Sequence, residues 1–366
     1  MKKEMYSSEV TLLRDTFRRL LRRHAKTNIV KLIDKTHPSD LALIFRHFND
    51  IEQDSIFSNM SASEETVKFL YELDESIATR LIENETPERL AEIMEQASSN
   101  EQAFLMGLVN DQFASSVIDL LQAEEQEELE EMMAYPEDSA GILMYTDVFT
   151  LHEETKAREA IYALQDQEEA EMVFYLYTLD DDGRLTGVIS LRDLVTTPSD
   201  TMLKDIMSKN IQVVRPETDQ EEVARIVSQY NFLAVPVVDA NEKLLGIVTV
   251  DNVVDVIREE ATEDFLQLAG AGKDREILLK SSWENARIRL PWLFASWVGG
   301  ILAAFIIGIY NNILENAIAL AAFIPVIIGM GGNVGTQSST MIVRGLATGR
   351  VSFENSMKVL FKEMRV

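Results

Sequence analysis

Two long stretches near the C-terminal end of the chain contain no charged residue, Pro291–Leu314 and Ala317–Val343. A helix needs about 20 consecutive apolar residues to cross the hydrocarbon of a bilayer, and the apolar part of the first stretch alone is that long. The second stretch is also long enough, but its second half consists largely of glycines, amides and hydroxyls. Such polar groups are costly at membrane depth unless they face a bundle interior or an aqueous path. We therefore predict two membrane spans, about 291–312 and 318–343, the second of which lines a path for a polar solute.

Basic residues lie just before the first stretch and just after the second, with Arg289 and Arg344 nearest to the spans. The connector around Asn311–Asn316 contains no Lys or Arg. By the positive-inside rule, both ends of the chain then face the cytoplasm. The predicted location is the cell membrane, as a multi-pass protein with residues 1 to about 290 cytoplasmic.

The charge of the chain limits its partners. Its formal net charge is −27, and Leu90–Thr155 contains sixteen Asp and Glu residues but no Lys or Arg. This acidic window is either a solvated surface or a surface that accumulates cations. A nucleic-acid partner is not expected, because phosphate binding requires the opposite charge. The chain has no Cys, so disulfides and thiolate metal sites are excluded as well.

Residues 1–135 have the apolar spacing of short helices joined by polar turns. The segments HPSDLALIF (37–45) and TPERLAEIM (86–94) share a Pro near the first helical turn and the same apolar pattern. This repetition predicts a small helical superhelix. The segment Thr11–Lys35 is instead rich in Arg and Lys, and we expect it to form an independent helix that lies against acidic neighbours.

Residues 136–258 contain a duplication of a strand–helix–strand–turn–strand–helix unit. The turn sequences DDDG and DANE coincide in the two copies, as do Gly187 and Gly246 in the strands that follow. This arrangement resembles a tandem pair of CBS domains. The resemblance implies a module with approximate twofold symmetry that binds an adenine nucleotide or transmits a ligand signal.

The first copy contains the pattern by which CBS domains bind ATP or AMP, a Gly–Val–Ile–Ser–Leu–Arg–Asp run that ends at Asp193. The resemblance implies that this carboxylate binds the ribose hydroxyls, with Tyr175, Arg192 and Phe232 nearby. The second copy has Asn252 in place of that aspartate. One nucleotide site is therefore expected, and the alternative is that both copies are purely structural.

The segment between the second copy and the first span places acidic residues four apart, at Asp251, Asp255, Glu259 and Glu263, with Glu260 and Asp264 beside them. On a helix these residues form two adjacent stripes of like charge, which destabilise the helix slightly. Such stripes face open water, a basic partner or a cation. Their position before a span makes the segment a candidate gate or coupling helix.

The segments YPEDSAGILM (135–144), VPVVDANEKLLGIVTVDNVVDVIREEATED (235–264) and IPVIIGMGGNVGTQSSTMIVRGLATG (324–349) resemble the MgtE family of magnesium transporters. The resemblance implies a multidomain protein with an all-α superhelical N-domain, an α/β tandem CBS domain pair, a connecting (plug) helix and an α-helical transmembrane domain. The expected boundaries are 1–135, 136–199, 200–258, 251–282 and 283–366.

Magnesium prefers octahedral oxygen ligands and loses its water reluctantly, so a pore for it should present polar groups to a hydrated ion. The candidate pore residues are Gly331, Gly332, Asn333, Gly335, Thr336 and Gln337. The alternative is that Gly331 and Gly335 form a helix-packing face without pore function. Soft metals fit poorly, because Cys is absent and the four His residues are scattered.

The resemblance also implies a homodimer that is held closed by cytoplasmic Mg²⁺ bound between the N-domain, the CBS pair and the plug helix. The matching metal ligands are Asp219, Glu221, Asp251, Asp255, Glu260, Glu263 and Asp264. Asn231 and Asn252 stand where the family has carboxylates, so two bridging sites should be weaker or rearranged. Metal ligands of the N-domain are expected near Glu92, Glu95 and Glu101.

The family has further membrane helices after the second, one of which carries the acidic ion site of the pore. We therefore expect that the 366-residue chain inserts in the lipid bilayer but conducts no Mg²⁺ by itself. The alternative function is a membrane-anchored CBS sensor of Mg²⁺ or nucleotide without transport activity. No enzyme is predicted, because no nucleophile–base arrangement is seen and GMGGNVG lies in a span rather than after a strand.

Overall fold

The computed structural model describes residues 2–166, 174–268, 270–271, 281–316, 318–347, 356–363 and 365. These residues belong to two units, Met1–Val254 and Asp255–Val366, which are considered separately below.

The N-terminal part of the first unit consists of short helices. They are α1 (Lys2–Arg22), α2 (Lys26–Ile33), α3 (Pro38–Phe45), α4 (Asp50–Phe57), α5 (Glu64–Tyr71), α6 (Glu75–Glu83), α7 (Pro87–Met94), α8 (Ser99–Gly107), α9 (Asp111–Ile118), α10 (Ala123–Met133) and α11 (Ala140–Leu143). The side chains that precede them explain their starts: Asn49 and Glu52 form a capping box on α4, and Thr86 caps α7, whose first residue is a proline.

The predicted superhelical repeat is confirmed. Helix α3 packs on α5, α5 on α7, and α7 on α9, so these four helices stack in chain order. The side chain of Gln53 donates to the backbone carbonyl of Phe45 at 3.0 Å, and that of Gln102 donates to the carbonyl of Met94 at 2.9 Å. These two buried bonds occupy equivalent positions 49 residues apart, which identifies the repeat at atomic detail.

The expectation of an independent basic helix over Thr11–Lys35 is wrong. This segment falls in two helices, α1 and α2, and α1 packs on α2, α3 and α4. Phe17 is fully buried, and its ring meets the ring of Phe48 edge-on with 6.2 Å between centroids. An acidic neighbour is present, however, because Arg18 lies 3.8 Å from the Glu52 carboxylate. The apolar face of α1 therefore makes it part of the helical domain.

The CBS pair follows within the same unit. Its elements are β1 (Thr150–His152), α12 (Ala157–Asp166), β2 (Tyr175–Leu179), β3 (Leu185–Ser190), α13 (Leu191–Thr196), α14 (Gln220–Tyr230), β4 (Ala234–Val238), β5 (Leu244–Thr249) and α15 (Val250–Leu268), which continues into the second unit. Strand β1 is parallel to β2, and the β2–β3 and β4–β5 hairpins are antiparallel. In the second copy a single parallel bridge from Val214 to Val237 stands in place of the first strand.

The two copies exchange segments. Tyr145, which lies before β1 in the first copy, pairs with Ile247 in the second, and Ser208, which lies before α14 in the second copy, pairs with Val188 in the first. The glycines that coincide in the sequence make room for this exchange. A Cβ atom on Gly187 would lie 2.4 Å from the sulfur of Met207, and one on Gly246 would lie 2.5 Å from the carbonyl oxygen of Tyr145.

The second unit contains helices α16 (Ser282–Ile309), α17 (Asn311–Asn316), α18 (Ile318–Ala321), α19 (Ile324–Ala347) and α20 (Ser356–Glu363). Among the described residues, α16 alone is long and apolar enough to cross a membrane, with a mean hydropathy of 2.1 over its best window. It contains most of the first predicted span. The second predicted span falls on α18 and α19, which a turn at residues 322–323 separates, and it remains a prediction.

Candidate functional site

Two of the predicted metal ligands, Asp219 and Glu221, lie at the start of α14 in the second CBS copy. The carboxylate of Asp219 accepts the backbone N–H of Glu221 at 2.8 Å and so caps the helix. Asp219 also forms an antiparallel bridge with Ser139, which precedes the first copy. Both carboxylates are exposed. Asp219 thus has a structural task that the sequence did not reveal, while its exposed carboxylate stays accessible to a cation.

The predicted acidic stripe is on a helix, as expected, because α15 is continuous over 19 residues. Some of its charge is offset within the helix, since Arg258 lies 3.2 Å from the Asp255 carboxylate and Gln267 donates to Glu263 at 2.8 Å. Within the predicted plug helix, 251–282, helix α15 ends at Leu268. Residues 269 and 272–280 lie outside the described residues.

One carboxyl of this helix titrates unusually. Burial raises the pKa of Asp264, and the neighbouring charge of Glu263 raises it further. Both causes oppose the charged form of the carboxyl, whereas a nearby cation would favour it. A cation bound beside Asp264 would therefore promote its ionisation.

No group of three or more His, Asp and Glu side chains that could hold a metal ion is present within the part of the chain that the structure describes. The predicted ligands therefore stay a prediction. In the N-domain, Glu92 and Glu95 are exposed, whereas the carboxylate of Glu101 accepts from the backbone and hydroxyl of Ser98 at 2.9 and 2.7 Å. Glu101 thus forms part of the capping box of α8.

The residues of the predicted nucleotide site meet at one end of the first copy. Tyr175 begins β2 and pairs with Ser190, the last residue of β3. The hydroxyl of Ser190 accepts the backbone N–H of Asp193 at 3.1 Å and donates to its carboxylate at 2.7 Å. Asp193 and Arg192 are exposed in the first turn of α13. This leaves a carboxylate, a guanidinium and an aromatic ring around one helix start.

Phe232, the fourth predicted residue, belongs to the second copy. Its ring stacks on that of Tyr230 at 5.3 Å between centroids with an interplanar angle of 15°. The residue between them, Asn231, has φ +55° and ends α14 in the left-handed conformation, which asparagine tolerates better than most residues. The left-handed backbone at this position therefore accounts for an asparagine where a carboxylate was expected.

The other replacement, Asn252, has a different reason. Its side chain is 6% exposed, and its amide nitrogen donates at 3.0 Å to the carbonyl oxygen of Leu143, which lies in α11, before β1. The position that offers an exposed carboxylate in the first copy therefore holds two segments together in the second. The sequence showed the asparagine but not this bond.

Sequence reasoning missed a polar contact between the helical domain and the CBS pair. Glu128 of α10 accepts from Ser99 of α8 at 2.9 Å and from the hydroxyl of Thr146, which leads into β1. Ser99 and Thr146 also bond to each other. The three side chains are partly buried and link the last helices of the superhelix to the first copy.

The predicted pore residues lie on α19, where the helix places Asn333, Thr336 and Gln337 on one face. Thr336 donates to the carbonyl oxygen of Gly332 at 3.1 Å. A Cβ atom added at Gly331, Gly332 or Gly335 would meet nothing within 4 Å among the described residues. The glycines therefore leave a shallow surface along which a further helix has room to pack closely.

Together these features define a class of protein: a helical domain and a CBS pair joined by an acidic helix to apolar helices, one of which has a polar face. Comparison with known proteins agrees. The family described as MgtE intracellular N domain matches residues 36–138, the CBS domain family matches 140–200 and 203–259, and the family described as divalent cation transporter matches 324–366.

Relatives and solved structures give the same result. The chain is 31% identical to the magnesium transporter MgtE of Bacillus subtilis, over 91% of this chain and 74% of the relative, and 39% identical to that of Thermus thermophilus, over 68% and 56%. It also resembles the solved cytosolic domain of the Mg²⁺ channel MgtE in complex with ATP, at 31% identity and TM-score 0.63, over 66% of this chain and 99% of that one. The chain belongs to the MgtE family, which confirms the predicted multidomain fold and implies a membrane location.

Proposed function

We propose that this chain provides the cytoplasmic and pore-lining parts of a Mg²⁺ transporter or channel. The observation that carries the proposal is the polar face of α19, formed by Asn333, Thr336 and Gln337 inside the segment that matches a divalent cation transporter. The chain spans 74% and 56% of the length of the two relatives described above, so its activity is inferred from their names and from this face.

The chemistry of the face suits a hydrated divalent cation. Amide and hydroxyl oxygens replace outer-sphere water contacts without the dehydration that a tight carboxylate cage would require of Mg²⁺. The glycines of the same helix allow a second helix to approach its backbone, so that carbonyl oxygens become available to the ion. Within the proposal, Asn333 and Gln337 contact the hydrated ion, and Gly331 and Gly335 set the width of the path.

The first experiment measures Mg²⁺ uptake in a strain that grows only at high Mg²⁺. A protein that contains residues 1–366, extended by the C-terminal part of the Bacillus subtilis relative, should restore growth and uptake. Asn333→Leu and Gln337→Leu should abolish uptake, whereas Ser338→Ala, on another face of α19, should leave it unchanged. Unimpaired uptake by the two leucine variants would show that the polar face does not line the path.

Gating by cytoplasmic Mg²⁺ is the second part of the proposal. We infer that Asp219, Glu221 and the α15 carboxylates bind Mg²⁺ in a closed state of a homodimer. An ion that binds one state alone stabilises that state by mass action. Support comes from the unfavourable charge on α15, where burial and Glu263 raise the pKa of Asp264.

The gate is tested by Glu260→Gln, Glu263→Gln and Asp264→Asn in the extended protein. Fewer ligands for the closed state should shift the equilibrium toward the open state, so uptake should persist at internal Mg²⁺ that shuts the unmodified protein. Asp182→Asn, an exposed turn residue of the first CBS copy, serves as the matched control. If inhibition by Mg²⁺ is unchanged in all variants, the acidic helix is a solvated surface.

A second candidate function is a membrane-anchored sensor of Mg²⁺ or adenine nucleotide. It is favoured by the finding that α16 alone among the described helices has the length and apolarity of a span. The solved relative in complex with ATP supports nucleotide binding by the cytosolic part of the chain, and within the proposal the nucleotide binds around Asp193. Ligand binding with no Mg²⁺ flux from the extended protein would favour the sensor over the transporter.

A further inference from the structure

The first 35 residues differ in charge from everything that follows. They contain ten basic and four acidic residues, whereas residues 36–135 contain 4 basic and 23 acidic ones. They also precede the segment that matches the MgtE intracellular N domain, which begins at residue 36. The basic segment therefore differs in charge from the helices on which it packs.

The structure concentrates this charge where α1 ends and α2 begins. We call this surface the basic end; its exposed members are Arg19, Arg22, Arg23 and Lys26. Burial of Phe17 holds α1 on the domain, and His24, with φ +50°, turns the chain tightly between the two helices. The four side chains thus project from a fixed turn rather than from a free tail.

The members of the basic end have no acidic partner within the described residues. Arg14 pairs with Asp15 and Arg18 lies near Glu52, but no ion pair involves the four residues of the basic end in that part of the chain. Four neighbouring cations at one turn repel one another, and an anionic surface would relieve that repulsion.

A complementary surface lies on α10, the last helix of the superhelix. We call it the acidic end; its exposed members are Glu124, Glu127, Glu130 and Glu131. No Lys or Arg occurs from Leu90 to Thr155 to offset their charge. Glu131 also accepts from the hydroxyl of Tyr135 at 3.3 Å, Glu125 takes part in the capping box with Gln122, and Glu128 accepts from Ser99.

The two ends belong to opposite ends of the superhelix. Helix α1 packs on α2, α3 and α4, whereas α10 packs on α8 and α11, and α5 links the two groups by packing on both α3 and α8. A single chain therefore presents a basic surface at its first helices and an acidic surface at its last. Two copies placed side by side with reversed direction satisfy both surfaces twice, which closes the pair.

We propose that the basic end of one copy of this chain binds the acidic end of a second copy. An anionic bilayer would attract the basic end too, but it would repel the rest of the helical domain, which carries 23 acidic and 4 basic residues over 36–135. Charge complementarity therefore favours the second copy over a lipid surface. This contact is separate from any metal-dependent contact and should weaken as salt is added.

The absence of Cys makes the contact directly testable in the full 366-residue chain. One copy carries Arg23→Cys and a first tag, and the other carries Glu130→Cys and a second tag. Since each copy has one thiol, any disulfide between the two tags joins two copies. Mild oxidation in membranes should cross-link this pair, whereas Arg23→Cys with Asp111→Cys, an exposed position on α9, should cross-link little.

Charge reversal then tests whether attraction between the two ends causes the cross-link. Changing Arg19, Arg22 and Lys26 to Glu should lower the cross-linked fraction roughly fivefold, as expected for a few exposed ion pairs. Changing Glu124, Glu127 and Glu131 to Arg in the other copy should lower it similarly, and combining the two reversals should restore it. All these residues are exposed, and unchanged circular dichroism melting confirms that each variant folds.

Three results would overturn the proposal. Equal cross-linking of the Asp111→Cys control would show random collision. Failure of the combined reversal to restore the cross-link would show that the two ends do not meet. Loss of binding to phosphatidylserine vesicles in the basic-end variant, with no change in cross-linking, would assign the surface to lipid instead.

Discussion

The two CBS copies share a fold and differ at the residue that ends their common motif. In the first copy this residue is Asp193, exposed and bonded to the hydroxyl of Ser190. In the second copy it is Asn252, buried and bonded to the carbonyl oxygen of Leu143. The two residues occupy equivalent backbone positions. In the first copy this position exposes a carboxylate to solvent, and in the second its amide holds α11 by a hydrogen bond. The role of each position therefore depends on the residues around it and not on its place in the repeated motif.

The largest effect is expected at the buried member of the pair. Asn252→Asp should lower the free energy of unfolding by about 2–4 kcal/mol, because a carboxylate would be buried beside a carbonyl oxygen that it cannot bind. Asp193→Asn, the matched exchange in the first copy, should change it by less than about 0.5 kcal/mol. Urea unfolding followed by far-ultraviolet circular dichroism compares them. Equal losses would mean that the two positions are equivalent after all.

The next effect concerns the glycines that admit the exchanged segments. Gly246→Ala should cost about 2 kcal/mol, because the new methyl group would meet the backbone oxygen of Tyr145. Gly187→Ala should cost somewhat less, about 1–2 kcal/mol, because the Met207 sulfur can rotate away although the Met207 Cβ atom, at 2.7 Å, cannot. Thermal melting of both variants gives the order. A larger loss for Gly187→Ala would show that the methionine is the more rigid neighbour.

Nucleotide binding should depend on the exposed residue of the pair, Asp193, and not on the buried Asn252. Asp193→Asn should weaken ATP binding about tenfold, because the ribose hydroxyls would lose a charged acceptor. Asp182→Asn, in the turn of the same copy, should leave the affinity unchanged. Calorimetry of the 366-residue chain with ATP measures both. No heat with the unmodified chain would indicate a structural CBS pair.

The smallest predicted effect is the response of the two hairpin turns to low pH, and it should be the same in both copies. Backbone N–H groups, first that of Arg184, lower the pKa of Asp180, and the equivalent N–H of Lys243 does the same for Asp239. A carboxylate with a lowered pKa stabilises the folded turn above its unfolded pKa of about 4, and this contribution is lost as the pH falls through the folded value. The hydrogen-exchange protection factors of the amides in the two turns should therefore fall together below about pH 4. Asp180→Asn should remove this pH dependence in the first turn alone.

Features that depend on neighbouring residues in the chain were predictable. The Pro residues at the starts of α3 and α7, the hairpin turns of the CBS copies and the continuous helix α15 all follow from local patterns. The family motif around Gly331–Gln337 was equally recognisable. By contrast, the stacking of α5 and α9 with α3 and α7 was not predicted, because α5 and α9 lack the proline that marks α3 and α7.

The sequence by itself determined the class of protein, because hydrophobic period, capping residues and the length of an uncharged stretch are local properties that fix element type. Only the tertiary structure decided what equivalent residues do. Asn252 reaches Leu143, 109 residues away, and Glu128 reaches Thr146 across the junction of two domains. Whether a polar side chain turns inward depends on which distant backbone or side-chain atom needs a partner, and that partner is present only once the chain has folded.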